Sequence, residues 1–91
     1  MILELGEAKL YLRVDGDEEN TLIINFILAA EEICEGILRF PISEFEEVPR
    51  TVNLAILYIV SNMYETREDF NIEDVLDVTK RLLFSYRKEA W

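Results

Sequence analysis

The sequence predicts an all-α fold: a small bundle of about four helices, two long central ones flanked by a short N-terminal and a C-terminal helix. Three observations carry that reading. Apolar residues recur at three-and-four spacing along two long segments. Those segments open on capping residues or proline, as helices do. Their length, about twenty residues, does not fit strands of ~5 to 6 residues. Their isoleucine and valine content is the opposing signal, since β-branched residues favour strands, and length outweighs it.

The first helix is expected from about Leu5 to Arg13, with Leu5, Ala8 and Leu12 on one stripe and Gly16 ending it. A joint, Arg13-Val-Asp-Gly-Asp-Glu-Glu-Asn20, follows. It is too irregular for a calcium loop: counted from Asp15, Asn20 stands where an EF-hand needs glycine, and Phe26 where it needs the closing glutamate. Asp15-Gly16 reads as a turn pair. Asp17 is placed to cap the next helix, and Glu18 and Glu19 to sit in its first turn against the positive end of the dipole.

The second helix is expected from Glu18 to about Arg39, burying Ile23, Phe26, Ile27, Ala30, Ile33, Cys34, Ile37 and Leu38. Leu22, Ile24, Leu28 and Ala29 lie partly off that stripe, so the helix is apolar around much of its girth. Gly36 and Pro41 mark where it weakens and stops. Phe40 to Val48 is a connector, and Pro49 suits the first turn of a third helix continuing through Tyr64 toward Glu68. Val52, Ala55, Ile56, Ile59, Val60 and Met63 form its main stripe, with Leu54, Leu57, Tyr58 and Tyr64 on others. Asp69 to Asp77 is expected as an acidic linker anchored by Ile72, Val75 and Leu76. The last helix then runs from about Val78 to Lys88, with Leu82, Leu83 and Tyr86 inward.

At 91 residues the chain is expected to form a single domain, residues 1–91, whose core covers only about two-thirds of its surface. An apolar content of 51% argues against disorder, and a formal charge of −10 argues against attraction to nucleic acid. The charge is uneven. Residues 1–47 carry twelve acids against three bases, whereas residues 48–91 carry seven against six. The tail is locally basic, with Lys80, Arg81, Arg87 and Lys88 opposed only by Glu89, so the two ends of the molecule can attract each other or the opposite end of a like molecule. Lone Cys34 gives neither disulfide nor metal cluster and suits a reducing compartment. No signal peptide is legible, and the most apolar run, Leu54 to Val60, is far below the ~20 residues of a bilayer span. A soluble protein of cytoplasmic origin with no membrane association is expected.

Catalysis finds no support in the residues. There is no histidine, Cys34 sits on an apolar stripe, and Ser43, Ser61 and Ser85 have no basic neighbour at useful spacing. Adjacent carboxylates such as Glu31 and Glu32 diverge on a helix. No glycine-rich phosphate loop is present, and no cofactor is expected. An acyl carrier domain would need the serine of an Asp-Ser-Leu motif, whereas Ser43 lies between Ile42 and Glu44. An acidic DNA mimic or regulatory interaction module is the alternative reading, disfavoured by the apolar excess.

Several stretches in order carry a family resemblance. They are Glu7-Ala-Lys-Leu-Tyr-Leu-Arg-Val-Asp15, then Leu22-Ile-Ile and Ala29-Ala-Glu-Glu32, then Ala55-Ile-Leu and Met63-Tyr-Glu-Thr-Arg-Glu68, and finally Leu82-Leu83 with Tyr86-Arg87. Over nearly its full length the chain resembles the head-tail connector (head completion, or DNA packaging) proteins of tailed phages and prophages. It departs from their pattern at Asn71-Ile-Glu-Asp-Val75, where the family's proline-containing lead into the last helix is missing.

The resemblance implies a non-enzymatic structural subunit at the virion's head-tail junction, made in the bacterial host cytoplasm. It implies a homo-oligomeric ring beneath the portal protein, contacting downstream connector and tail proteins. DNA would pass through without sequence-specific binding, with Glu18, Glu19, Glu31 and Glu32 as candidate channel-facing acids. The candidate subunit or partner interface comprises Lys9, Arg13, Tyr64, Arg67, Arg87 and Trp91. Arg13 and Arg67 also suit helix C-terminal ends, Tyr64 also suits a core, and Trp91 either packs on a neighbour or frays. Arg87 is the strongest of the set, because a planar donor fork near the terminus fits a partner carboxylate.

Overall fold

Apolar periodicity sets the element order. The computed structural model describes residues 2–87. It contains α1 (Leu5–Leu12), α2 (Asn20–Leu38), α3 (Arg50–Glu65) and α4 (Ile72–Leu83), with 3₁₀ turns at Ile42–Glu44 and Phe84–Tyr86. No strand occurs among the described residues, so the fold is all-α with two long central helices.

The buried side chains of the central helices come from the expected stripes, of which Phe26, Ile33, Ile37 and Met63 are only half-buried at the cluster's edge. Ile23, Ile27, Ala30, Cys34 and Leu38 of α2 meet Val52, Ala55, Ile56, Ile59 and Val60 of α3 in one cluster, completed by Leu3, Ala8, Ile42, Val75 and Leu83. At ~1.5–3 kcal/mol for each large side chain removed from water, this cluster is the main stabilising term. The relative directions follow from the cross-links. Tyr64 near the end of α3 reaches Glu19 before α2, so those two helices run antiparallel. The amides of Ile2 and Leu3 reach Glu31 halfway along α2, and Lys9 reaches Asp17, so α1 runs back along the first half of α2. The end of α4 lies beside the end of α2, where Gly36, Ile37, Lys80 and Arg87 line one notch.

Helix ends differ from the sequence reading in instructive ways. Arg13, not Gly16, ends α1: it adopts the left-handed conformation at φ 61°, and the Val14 amide donates to the Lys9 carbonyl at 2.9 Å. Arg39 ends α2 in the same way at φ 69°. Asp17 does not cap α2. Its carboxylate accepts from Lys9 Nζ and Asn20 Nδ2 instead, and Glu19 stands at the cap position without a side-chain cap. Pro49 takes the cap position of α3 rather than its first turn, and that helix stops at Glu65, short of Glu68.

The largest correction concerns Asp69 to Asp77. Of that stretch only Asp69 to Asn71 connects α3 to α4, because α4 begins at Ile72, six residues before Val78, and ends at Leu83. Asn71 Oδ1 accepts from the amides of Glu73 and Asp74 at 3.0 and 3.4 Å, and both acids then face the positive end of the dipole. Acidity that reads as solvated linker is a helix start. Val75, Thr79 and Leu83 then form the buried stripe, with the Thr79 hydroxyl donating to the Val75 carbonyl at 2.7 Å.

Candidate interaction surfaces

The antiparallel helices give the molecule two functionally distinct ends. At the first, the joint before α2 meets the end of α3. Glu19 is the hub there: the Tyr64 hydroxyl donates to its Oε1 at 2.5 Å, and Arg67 Nη2 lies 3.0 Å from its Oε2. Arg67 also stacks over the Tyr64 ring, 4.6 Å from the centroid, and its Nε donates to the Tyr64 carbonyl. The Tyr64 hydrogen bond and, secondarily, the guanidinium hold the Glu19 carboxyl below its ordinary range, while the same bond pushes the Tyr64 phenol up. Two interface candidates and one channel candidate therefore converge inside one chain.

Lys9 is likewise engaged within the chain. Its ammonium lies 2.8 Å from Asp17 Oδ1, and this hydrogen bond, with a second from Asn20, lowers the Asp17 carboxyl. Arg13 is exposed at the end of α1. It lines a depression of about 500 Å³ with Gly6, Leu10, Val14 and Asp15. Asp15 and Glu18 are exposed.

Along α2 the acids divide by face. Glu31 Oε2 accepts the amides of Ile2 and Leu3 at 2.6 and 3.2 Å. Glu35, four residues on, accepts the Ile42 amide at 2.7 Å. Each carboxylate satisfies backbone groups of a segment that has no helical partner for them. Glu32 is exposed. The four channel-candidate acids thus do not form one surface: Glu18 and Glu19 flank the joint, Glu31 clamps the N-terminal segment, and Glu32 faces solvent. The clamps were legible only in part, since i, i+4 acids on either side of a buried cysteine signal a half-buried carboxylate face. Burial, followed by the negative charges of Glu31 and Glu35, pushes the Cys34 thiol up to about 12.

At the opposite end, Phe45 packs edge-on against Phe40 and Tyr86 with centroids 5.1 and 6.2 Å apart. This aromatic group ties the connector and the last 3₁₀ turn to the end of α2. Beside it Arg39, Lys80 and Arg87 line a notch of about 230 Å³ with Gly36 and Ile37. The sequence marked Lys80 and Arg87 as part of a basic tail and Arg87 as an interface candidate, but only the fold brings them alongside Arg39 at the end of α2. Trp91 lies outside the described residues.

Apolar surface also remains. Leu10, Phe84, Leu54, Tyr11 and Leu28 are 82, 68, 53, 51 and 48% exposed, spread over all four helices and their flanks. A second apolar recess, about 290 Å³, lies between α2 and the end of α3, lined by Phe26, Ala29, Met63, Arg67 and Phe70. Among the described residues no group of acids and cysteine is placed to hold a metal ion, and no helix is long and apolar enough to cross a membrane.

These observations describe a helical chain with exposed apolar side chains and charged ends. A family model described as phage gp6-like head-tail connector protein matches residues 2–90. The chain belongs to that family. Comparison with curated proteins and with solved structures found no match. Membership makes this connector a phage structural protein of head-tail joining. It also gives the quoted motifs a physical sense: in Met63-Tyr-Glu-Thr-Arg-Glu68 the tyrosine and arginine grip Glu19, and in Ala29-Ala-Glu-Glu32 the first glutamate seats the N-terminal segment.

Proposed function

We propose that this connector assembles with copies of itself as a ring beneath the portal vertex, extends the DNA channel and offers a platform to downstream connector and tail proteins. The family match along nearly the whole chain carries this reading. Its physical support is the surplus apolar surface: a Cα framework only 16 Å thick in its thinnest direction cannot enclose helices whose own diameter is ~10–12 Å. Exposed Leu28 and Leu54 on the central helices are what a neighbouring subunit covers.

The role is structural and non-enzymatic, needs no cofactor, and belongs at the virion's head-tail junction. DNA passes without sequence-specific contact, since dense carboxylates repel its phosphates. Exposed Glu32 is the acid free to serve the channel, whereas Glu19 and Glu31 are tied to Tyr64, Arg67 and the N-terminal amides. Sedimentation over a range of concentrations, alone and with portal assemblies, tests the reading. A large cyclic species or portal-dependent ring is expected. A persistent monomer that instead competes with DNA for an enzyme would establish an acidic mimic. Neutralising Glu32 is expected to alter DNA retention or ejection, and unchanged behaviour would remove its channel role.

A further inference from the structure

The notch at the end of α2 concentrates cations in a chain whose formal charge is −10. Arg39, Lys80 and Arg87 converge there from three separate segments. Among the described residues, none of the three makes an ion pair, although ion pairs occur at Lys9, Arg67 and Arg81. Converging cations repel one another, so the arrangement is stabilised by an incoming anion.

The charge that complements them lies on the same chain but out of reach. Asp15 and Glu18 are exposed on the joint before α2. The 19 residues of α2 separate that joint from the notch by about 28 Å at 1.5 Å per residue. Electrostatic attraction between exposed charges falls off over roughly 8 Å at physiological salt, so the two surfaces do not compensate each other within one subunit. Each surface also carries an exposed apolar side chain: Phe84 shares a shallow recess with Lys80 and the Asp77–Arg81 pair, and Leu10 lines the depression with Asp15, Arg13 and Lys9, the last already paired with Asp17. Aromatic and arginine anchors beside an apolar patch are the composition of an interface centre, and here the exposed acids Asp15 and Glu18 supply the opposite charge at its edge.

We propose that the notch formed by Arg39, Lys80 and Arg87 receives the acidic joint, Asp15 and Glu18, of a second copy of this chain, with Phe84 set against that copy's Leu10 depression. The contact joins two different patches of identical subunits and so propagates from copy to copy, which closes into a ring when the rotation allows. It rests on the ring reading above and specifies which surfaces meet. DNA is the weaker occupant, because three cations in one notch cannot track a phosphate backbone and the remaining surface is acidic.

Reversal of charge on either side provides the test. Lys80→Glu with Arg87→Glu reverses the notch, and Asp15→Lys with Glu18→Lys reverses the joint. All four side chains are exposed, and retained helicity by circular dichroism shows that both variants fold. By sedimentation of the full chain, each variant alone is expected to self-associate about tenfold or more weakly than the unmodified protein. An equimolar mixture is expected to recover association, because each reversed notch then meets a reversed joint. Self-association that is unaffected by reversal, or a mixture that fails to recover, overturns the proposed contact while leaving the ring reading intact. A chain that never self-associates, with or without portal assemblies, overturns both. Loss of binding to a short DNA duplex by the notch variant, with self-association unchanged, reassigns the notch to phosphate and also overturns the proposal.

Discussion

Glu31 and Glu32 are adjacent and identical in type, yet their removal should have very different consequences. Glu31 Oε2 accepts two backbone amides, those of Ile2 and Leu3, in a part-buried setting. Leu3 beyond them is fully buried. A hydrogen bond to a charged group contributes ~1.5–3 kcal/mol. The lower end applies here to the two bonds together, because they share one acceptor oxygen and the freed amides regain water once the segment loosens. Detaching Leu3 entirely would add up to ~1.5–3 kcal/mol of lost burial, and partial retention halves that. Glu31→Ala is therefore expected to destabilise by about 2 kcal/mol, and Glu31→Gln, which keeps a neutral acceptor, by about 1 kcal/mol. Glu32→Ala is expected to stay within ~0.5 kcal/mol, as exposed surface substitutions do. Equilibrium urea unfolding followed by circular dichroism reads the difference, with a midpoint shift at unchanged m-value. In a thermal scan the Glu31→Ala loss corresponds to roughly 10 °C for a domain of this size. Equal effects at the two positions, or a Glu31→Gln loss as large as that of alanine, would refute the clamp.

Other consequences follow from the same contacts. Asn71→Ala removes the acceptor for the Glu73 and Asp74 amides and should cost about 1 kcal/mol in urea unfolding, whereas Asn71→Asp should be near neutral. Asp17 and Glu19 are held below their ordinary carboxyl values. Their contribution is complete above the unfolded-state values near ~4 and is lost as pH falls through the lower folded ones; the urea midpoint of Asp17→Asn or Glu19→Gln should therefore depend less on pH in that acid range. Tyr64 is raised instead, so its contribution is complete below the ordinary phenol value of ~10 and lost as pH rises through the higher folded one. The urea midpoint of Tyr64→Phe should consequently depend less on pH above that value. Cys34, buried and with its thiol pushed up to about 12, should resist a thiol reagent in the native chain and react promptly on unfolding; rapid native labelling would contradict its packing. Arg13→Gly relieves a left-handed side chain at φ 61° and should raise stability by roughly 0.5–1 kcal/mol in the same unfolding assay.

The fold class and the core stripes were legible because periodicity is a local, repeated signal. Ile23 to Leu38 and Val52 to Val60 each repeat it through several turns, so no distant contact was needed to read them. The start of α4 was not legible, since one asparagine side chain decides whether an acidic stretch is a linker or a first turn. The candidate site was legible only as residue types: Tyr64, Arg67, Glu19 and Lys9 were visible as polar groups, but their partners lie up to 45 positions away.

The sequence by itself determined four helices with faces too apolar for so small a chain, an acidic front, a basic tail and a family. Only tertiary structure decided which of those charges pair within the chain and which stay exposed without an ion pair among the described residues. The reason is that pairing depends on where antiparallel helices bring their ends: α3 returns Tyr64 and Arg67 to Glu19 and consumes them, whereas α4 carries Lys80 and Arg87 to the far end of α2, about 28 Å from the acids of the joint.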